Sequence, residues 1–140
     1  MDDNQRSTDI CQKVVEFIDD GRDFAVALVL KAEGSTPRKA GVRAVIDQAG
    51  KIYGTLGGGL VEAETQRRAI EACKSKQPLV FDMELQGPDR AADVPICGGS
   101  MQILIDPTAT KDRASFAGMA EAVRNRQRGV MLTNVRTSAK

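Results

Sequence analysis

Three adjacent glycines, Gly57, Gly58 and Gly59, stand directly before a segment with helical periodicity. Consecutive glycines are entropically costly in a folded chain, so positive φ angles or the close approach of a ligand or another backbone must require them. The first N–H groups of a helix lack partners within it and carry partial positive charge, which suits a phosphate or carboxylate. The run is a candidate anion cradle; the plainer alternative is a tight strand-to-helix turn that binds nothing. It is not a known nucleotide motif. The pattern G-x-G-x-x-G needs glycine where Glu62 stands, and the phosphate loop needs Lys followed by Ser or Thr where Leu60 and Val61 stand.

A second group precedes it. Ser35, Thr36, Pro37, Arg38 and Lys39 follow a long apolar run and Gly34. Pro37 fixes its own φ and keeps Thr36 out of the helical region, so a defined loop is expected. Arg38 can grip an oxyanion through two hydrogen bonds, whereas Lys39 offers a point charge and reads as a surface cation. Glu62 falls in the first turn of the expected helix, where a carboxylate gains ~0.3–1 kcal/mol from the helix dipole. That alone explains it structurally. A third group is Cys97, Gly98 and Gly99. Two glycines leave the thiol room and bring backbone N–H groups near, which lowers a thiol pKa, and a thiolate is a soft metal donor. Against this stands the commoner buried, inert cysteine.

In order, Gly34-Ser35-Thr36-Pro37-Arg38, Gly57-Gly58-Gly59-Leu60-Val61-Glu62 and Cys97-Gly98-Gly99 resemble the N-terminal domain of the XdhC/CoxI family, from about residue 10 to residue 107. Members are accessory proteins of molybdenum hydroxylases such as xanthine dehydrogenase and carbon monoxide dehydrogenase. The resemblance implies a chaperone that holds the molybdenum cofactor, as molybdopterin or its dinucleotide form, and passes it to an apo molybdenum hydroxylase. It implies cofactor contacts from Ser35, Thr36, Arg38, Gly57, Gly58, Gly59, Glu62, Cys97, Gly98 and Gly99. The phosphate would lie on the glycine turn with Arg38 assisting, Glu62 would accept hydrogen bonds from the pterin ring, and Cys97 would approach the metal or its sulfur. Full-length members continue into a Rossmann-like domain for which these 140 residues leave no room. A separate Rossmann-like protein and a cysteine desulfurase are therefore further candidate partners. A rival reading makes Cys97 the nucleophile of a sulfur-transfer enzyme, and a third an oligomerisation or regulatory domain without ligand.

Composition narrows the classes. The chain has 20 Lys plus Arg against 19 Asp plus Glu, a net charge of +1, so no global field draws nucleic acid or a membrane surface. One Tyr, four Phe and no Trp supply few stacking platforms for bases. There is no histidine, which removes Ser-His and Cys-His pairs and favours binding over turnover. Cys11, Cys73 and Cys97 are an odd, widely spaced set without a C-x-x-C pair, so disulfides and zinc are not expected. The polar, acidic start and the lack of any membrane-length apolar run point to the cytoplasm.

The elements that must position these groups follow from periodicity. Residues 8–20 place Ile10, Val14, Phe17 and Ile18 on one helical stripe, stopped by Gly21. Residues 24–30 are a continuous apolar run, expected at the centre of a sheet. Residues 42–47 and 51–56 flank Gln48-Ala49-Gly50 as a hairpin that brings the Gly34 and Gly57 loops to the same end of the sheet. Tyr53 reads as a packing residue whose hydroxyl could alternatively reach the ligand. A helix over 60–74, strands over 79–85 and 101–105 around a long loop at 86–99, a helix over 111–127 and a final strand over 129–135 complete the chain. The expectation is one α+β domain with a mixed sheet of about six strands and three packed helices. A surface left uncovered by a missing second domain, together with a final strand at the sheet edge, points to a homodimer.

Overall fold

The computed structural model describes residues 3–85 and 98–135, with side chains from residue 10 onward. Helix α1 (Asp3–Asp19) presents Ile10, Val14 and Phe17 to the core. Gly21, at φ 67°, ends it as expected: the Gly21 amide donates to the Ile18 carbonyl at 3.1 Å and the Arg22 amide to Phe17 at 3.0 Å.

Strands β1 (Phe24–Glu33), β2 (Arg43–Asp47), β3 (Ile52–Tyr53), β4 (Leu79–Glu84) and β5 (Ser100–Asp106) form a sheet in the order β3-β2-β1-β5-β4. The continuous apolar run is indeed its centre. β1 sends Ala25, Ala27 and Val29 to one face and Phe24 and Val26 to the other, so both faces are buried. Helix α2 (Gly59–Ser75) covers the first face through Val61, Ala69 and Cys73; α1 and helix α3 (Arg113–Arg124), the latter entered through a 3-10 turn at Ala109–Asp112, cover the second. Phe17 anchors that second layer, with its ring 5.3 Å edge-on from Tyr53 and 5.5 Å from Phe24. Full burial of such a side chain contributes about 1.5–3 kcal/mol. On the solvent side of α2, Arg67 and then Arg68 donate to Glu64, which holds that carboxyl well below the usual range, at about 2.

Two expectations are corrected. Every strand pair is antiparallel, so the sheet is not mixed. The helix α2 joins β3 to β4, which run in the same direction, but these two sit at opposite edges and never pair. The sheet also has five strands among the described residues, because residues 129–135 form no strand. After α3 the chain turns at Arg126, φ 54°, and Gly129 lies against Met119 and Ala122 of that helix. Met131 packs on the second core while Val130 and Leu132 stand 85% and 92% exposed. The segment pairs with neither edge strand, β3 nor β4, and strand propensity without a cross-strand partner does not make a strand.

The topology settles where the glycine motifs go. Lys76, just past α2, donates to Asp23 at the start of β1 at 2.8 Å, so α2 runs opposite to β1 and its N-terminus meets the C-terminal end of β1. The amide of Leu85 donates to the Gly99 carbonyl at 2.8 Å, and that of Gly98 to the Leu85 carbonyl at 3.4 Å. The base of the loop between β4 and β5 is thereby closed at the same end of the sheet.

Candidate functional site

The three motifs converge. Gly99 is buried, and a side-chain carbon placed on it would collide with the backbone oxygens of Glu33 and Ser35 and with Thr36 Cγ2. A carbon added at Gly34 would come within 3.2 Å of Gly99 Cα. On the other side, the ring of Pro37 occupies the space a side chain at Gly57 would need. Thr36 and Pro37 are thus a wedge with Gly99 on one flank and Gly57 on the other. The Thr36 hydroxyl is spent within the loop, donating to the Arg38 carbonyl at 3.0 Å.

The glycine turn has the strained backbone that its composition implied. Gly57, Gly58 and Gly59 have φ of 103°, 78° and 58°, all in the left-handed half of the map. Gly58, at ψ −170°, is the residue before α2 and lies in a region essentially reserved for glycine. Glu62 holds the turn from inside. Its Oε1 accepts from the Thr55 hydroxyl at 2.6 Å and from the Leu56 amide at 3.0 Å, and the Thr55 oxygen accepts from the Gly57 amide at 3.0 Å. The amides of Gly58, Gly59 and Leu60 have no partner among the described residues, and carbons added at Gly58 and Gly59 would meet open space. Here the helix dipole and unpaired donors face outward together.

Around this turn, Ser35 is exposed at the rim, and Arg38, the next residue after Pro37, is exposed with no partner for its guanidinium among the described residues. Arg38 is thus available to an anion. Cys97 lies outside the described residues; its neighbour Gly98 is placed, paired to Leu85 at the loop base. Tyr53 does not reach the turn. It packs against Phe17 in the α1 layer with the ammonium groups of Lys13 and Lys51 near its ring, so the packing reading is the right one.

Sequence reasoning missed Thr55 as a member of the site. The signal was present: a threonine two residues before Gly57 is placed to accept from that residue's own backbone amide. A cavity of about 740 Å³ lies elsewhere, at the opposite end of the sheet, floored by Val26, Leu28 and Leu104.

Residues 17–83 match the sequence model of the XdhC and CoxI family. The chain carries an XdhC and CoxI family segment. That segment contains the Ser35–Arg38 loop and the glycine turn through Glu62, two of the three converging motifs; Gly98 and Gly99 lie beyond it. The chain is 31% identical over 97 residues to the uncharacterized protein YqeB of Escherichia coli K12, a match covering 68% of this chain and 17% of that protein. Its fold is similar to the crystal structure of a xanthine dehydrogenase from Bacillus halodurans, with a TM-score of 0.67 and 20% identity over 83% of this chain and 35% of that one. The chain therefore corresponds to a minority of the length of either relative.

Two of the three cysteines are buried. Cys73 is buried under the sheet and Cys11, just before the segment, in the α1 layer. Burial pushes both thiols up from their ordinary value, with Arg43 partly offsetting this for Cys11 and Lys76 for Cys73. A raised pKa leaves less thiolate and slows alkylation. At neutral pH an alkylating reagent is expected to modify Cys97 first, with Cys11 and Cys73 following only in denaturant, as read by mass spectrometry of digested protein. Uniformly slow modification of all three would return Cys97 to a buried structural role.

No helix among the described residues is long and apolar enough to cross a membrane.

Proposed function

We propose that the chain is an accessory protein of molybdenum hydroxylases that holds the molybdenum cofactor as cargo and presents it to the apo-enzyme. The observation that carries this reading is the convergence of the three glycine motifs on one surface. There, unpaired amides at the N-terminus of α2 follow Gly57, against which Pro37 packs, and the unpaired Arg38 is the residue after Pro37. That donor set fits the phosphate of molybdopterin, or the nearer phosphate of a dinucleotide form. Membership of residues 17–83 in the XdhC and CoxI family supports the link to molybdenum hydroxylases, and the description of the structural neighbour as a xanthine dehydrogenase agrees with it. Ser35 at the rim adds a hydroxyl, and Gly98, the residue that follows Cys97 in the sequence, is paired to Leu85 at the loop base.

The test is anaerobic mixing of the protein with purified molybdenum cofactor, followed by gel filtration and metal analysis. Molybdenum should co-elute with the protein near one equivalent per chain. Molybdenum eluting only at small-molecule volume would end the chaperone reading. The same column reports association. A homodimer is the proposed state, since Val130 and Leu132 are exposed apolar groups that a second copy would cover, and the protein should elute above its monomer mass of 15.1 kDa.

A further inference from the structure

We infer that Glu62 is a positioning residue, which sets the glycine turn through Thr55, and that the amides of Leu56 and Gly57 are withheld from an anion while those of Gly58, Gly59 and Leu60 are offered to it. This rests on the cofactor-holding reading above and narrows it to particular atoms.

The argument is an account of backbone donors. Six residues from Thr55 to Leu60 lead into the helix, and their amides are not equivalent. The Leu56 amide is taken by Glu62 Oε1 and the Gly57 amide by Thr55 Oγ1, whose proton in turn goes to the same Glu62 oxygen. Neither Leu56 nor Gly57 has a donor left for a ligand. Leu56 is wholly buried, and Pro37 fills the space beside Gly57. The next three amides have no partner among the described residues, and the space beside Gly58 and Gly59 is open. Glu62 thus joins the two halves of the turn: one oxygen grips the strand side, while its own backbone belongs to the helix side. A carboxylate so engaged contributes geometry, while its negative charge acts against an anion bound nearby. The two effects have opposite signs, and this makes them separable.

Glutamine at 62 keeps an Oε1 acceptor for Thr55 and Leu56 and removes the charge. Alanine removes both. Binding of molybdenum cofactor to Glu62→Gln is therefore expected to equal or exceed that of the parent, whereas Glu62→Ala and Thr55→Val should each weaken it by about tenfold or more. Thr55→Ser, which retains the hydroxyl, should restore parental affinity. Hydrogen exchange on the ligand-free protein gives the second readout: the Leu56 and Gly57 amides should lose protection in Glu62→Ala and keep it in Glu62→Gln. Equal exchange of these two amides in parent and Glu62→Ala would overturn the latch, whatever the protein binds. Loss of cofactor affinity in Glu62→Gln with both amides still protected would show that the carboxylate touches the ligand directly, and would overturn the positioning role. A parent that binds no cofactor would remove the cargo reading and the donor assignment with it, while the exchange result would still decide the latch.

Discussion

Replacing Gly99 by valine is expected to destabilise the protein by about 1–3 kcal/mol, the usual range for forcing extra volume into a packed interior. Gly99 is buried, and a side chain there meets backbone oxygens of Glu33 and Ser35 rather than the ends of flexible side chains. Relief requires moving β1 away from β5, the most extensive pairing in the sheet. Thermal unfolding followed by circular dichroism should show a midpoint lowered by roughly 5–15 °C. Because Thr36 Cγ2 is the third group in that contact, the loop carrying Pro37 and Arg38 should be displaced in the folded fraction, and cofactor affinity should fall with stability. An unchanged midpoint would show that the strands accommodate the volume without strain.

Gly58 is expected to respond through a different cause. A side chain there would meet open space, so bulk is not the difficulty. The difficulty is the backbone, at φ 78° and ψ −170°, where a residue with a Cβ pays about 1–3 kcal/mol. The turn in Gly58→Val relaxes toward an ordinary conformation, and the amides of Gly58 and Gly59 no longer point together. Cofactor binding should weaken by about tenfold or more, since each 1.4 kcal/mol is a factor of ten. Gly58→Ala should weaken it almost as much, because alanine shares the backbone penalty. Titration of both variants against the parent decides the matter: a loss confined to valine would mean that ligand and side chain compete for space.

Much of this arrangement was legible in the sequence. The apolar run from Phe24 placed the central strand, Gly21 placed the end of α1, and the hairpin glycine Gly50 placed two loops at one end of the sheet. These are local signals, set by side-chain period and by backbone conformations that few residues tolerate. What could not be read was anything decided by a distant partner. Val130 to Val135 has strand-like composition, yet it pairs with neither edge strand of the sheet. The direct role of Glu62 depends on Thr55, which returns to it through a turn and not through helical spacing. Gly99 looked like an open approach to the Cys97 thiol, whereas its missing side chain serves the contact with Glu33 and Ser35. A glycine signals that something comes close, and only the fold says what.

The pairing of Val26 with Asp106 across the middle of the sheet also bears on the order in which the molecule is made. During synthesis β1, the hairpin and α2 emerge well before β5, and contacts so distant in sequence are slow to form. Until β5 arrives, the carbonyls of Glu33 and Ser35 have no Gly99 to lie against, and the Pro37 wedge has one flank in place of two. The nascent chain therefore holds its anion donors before it holds them rigidly. An anion that arrives before β5 has paired would meet an unfinished seat, so the rigidity of this turn is completed late, by a strand distant from it in sequence.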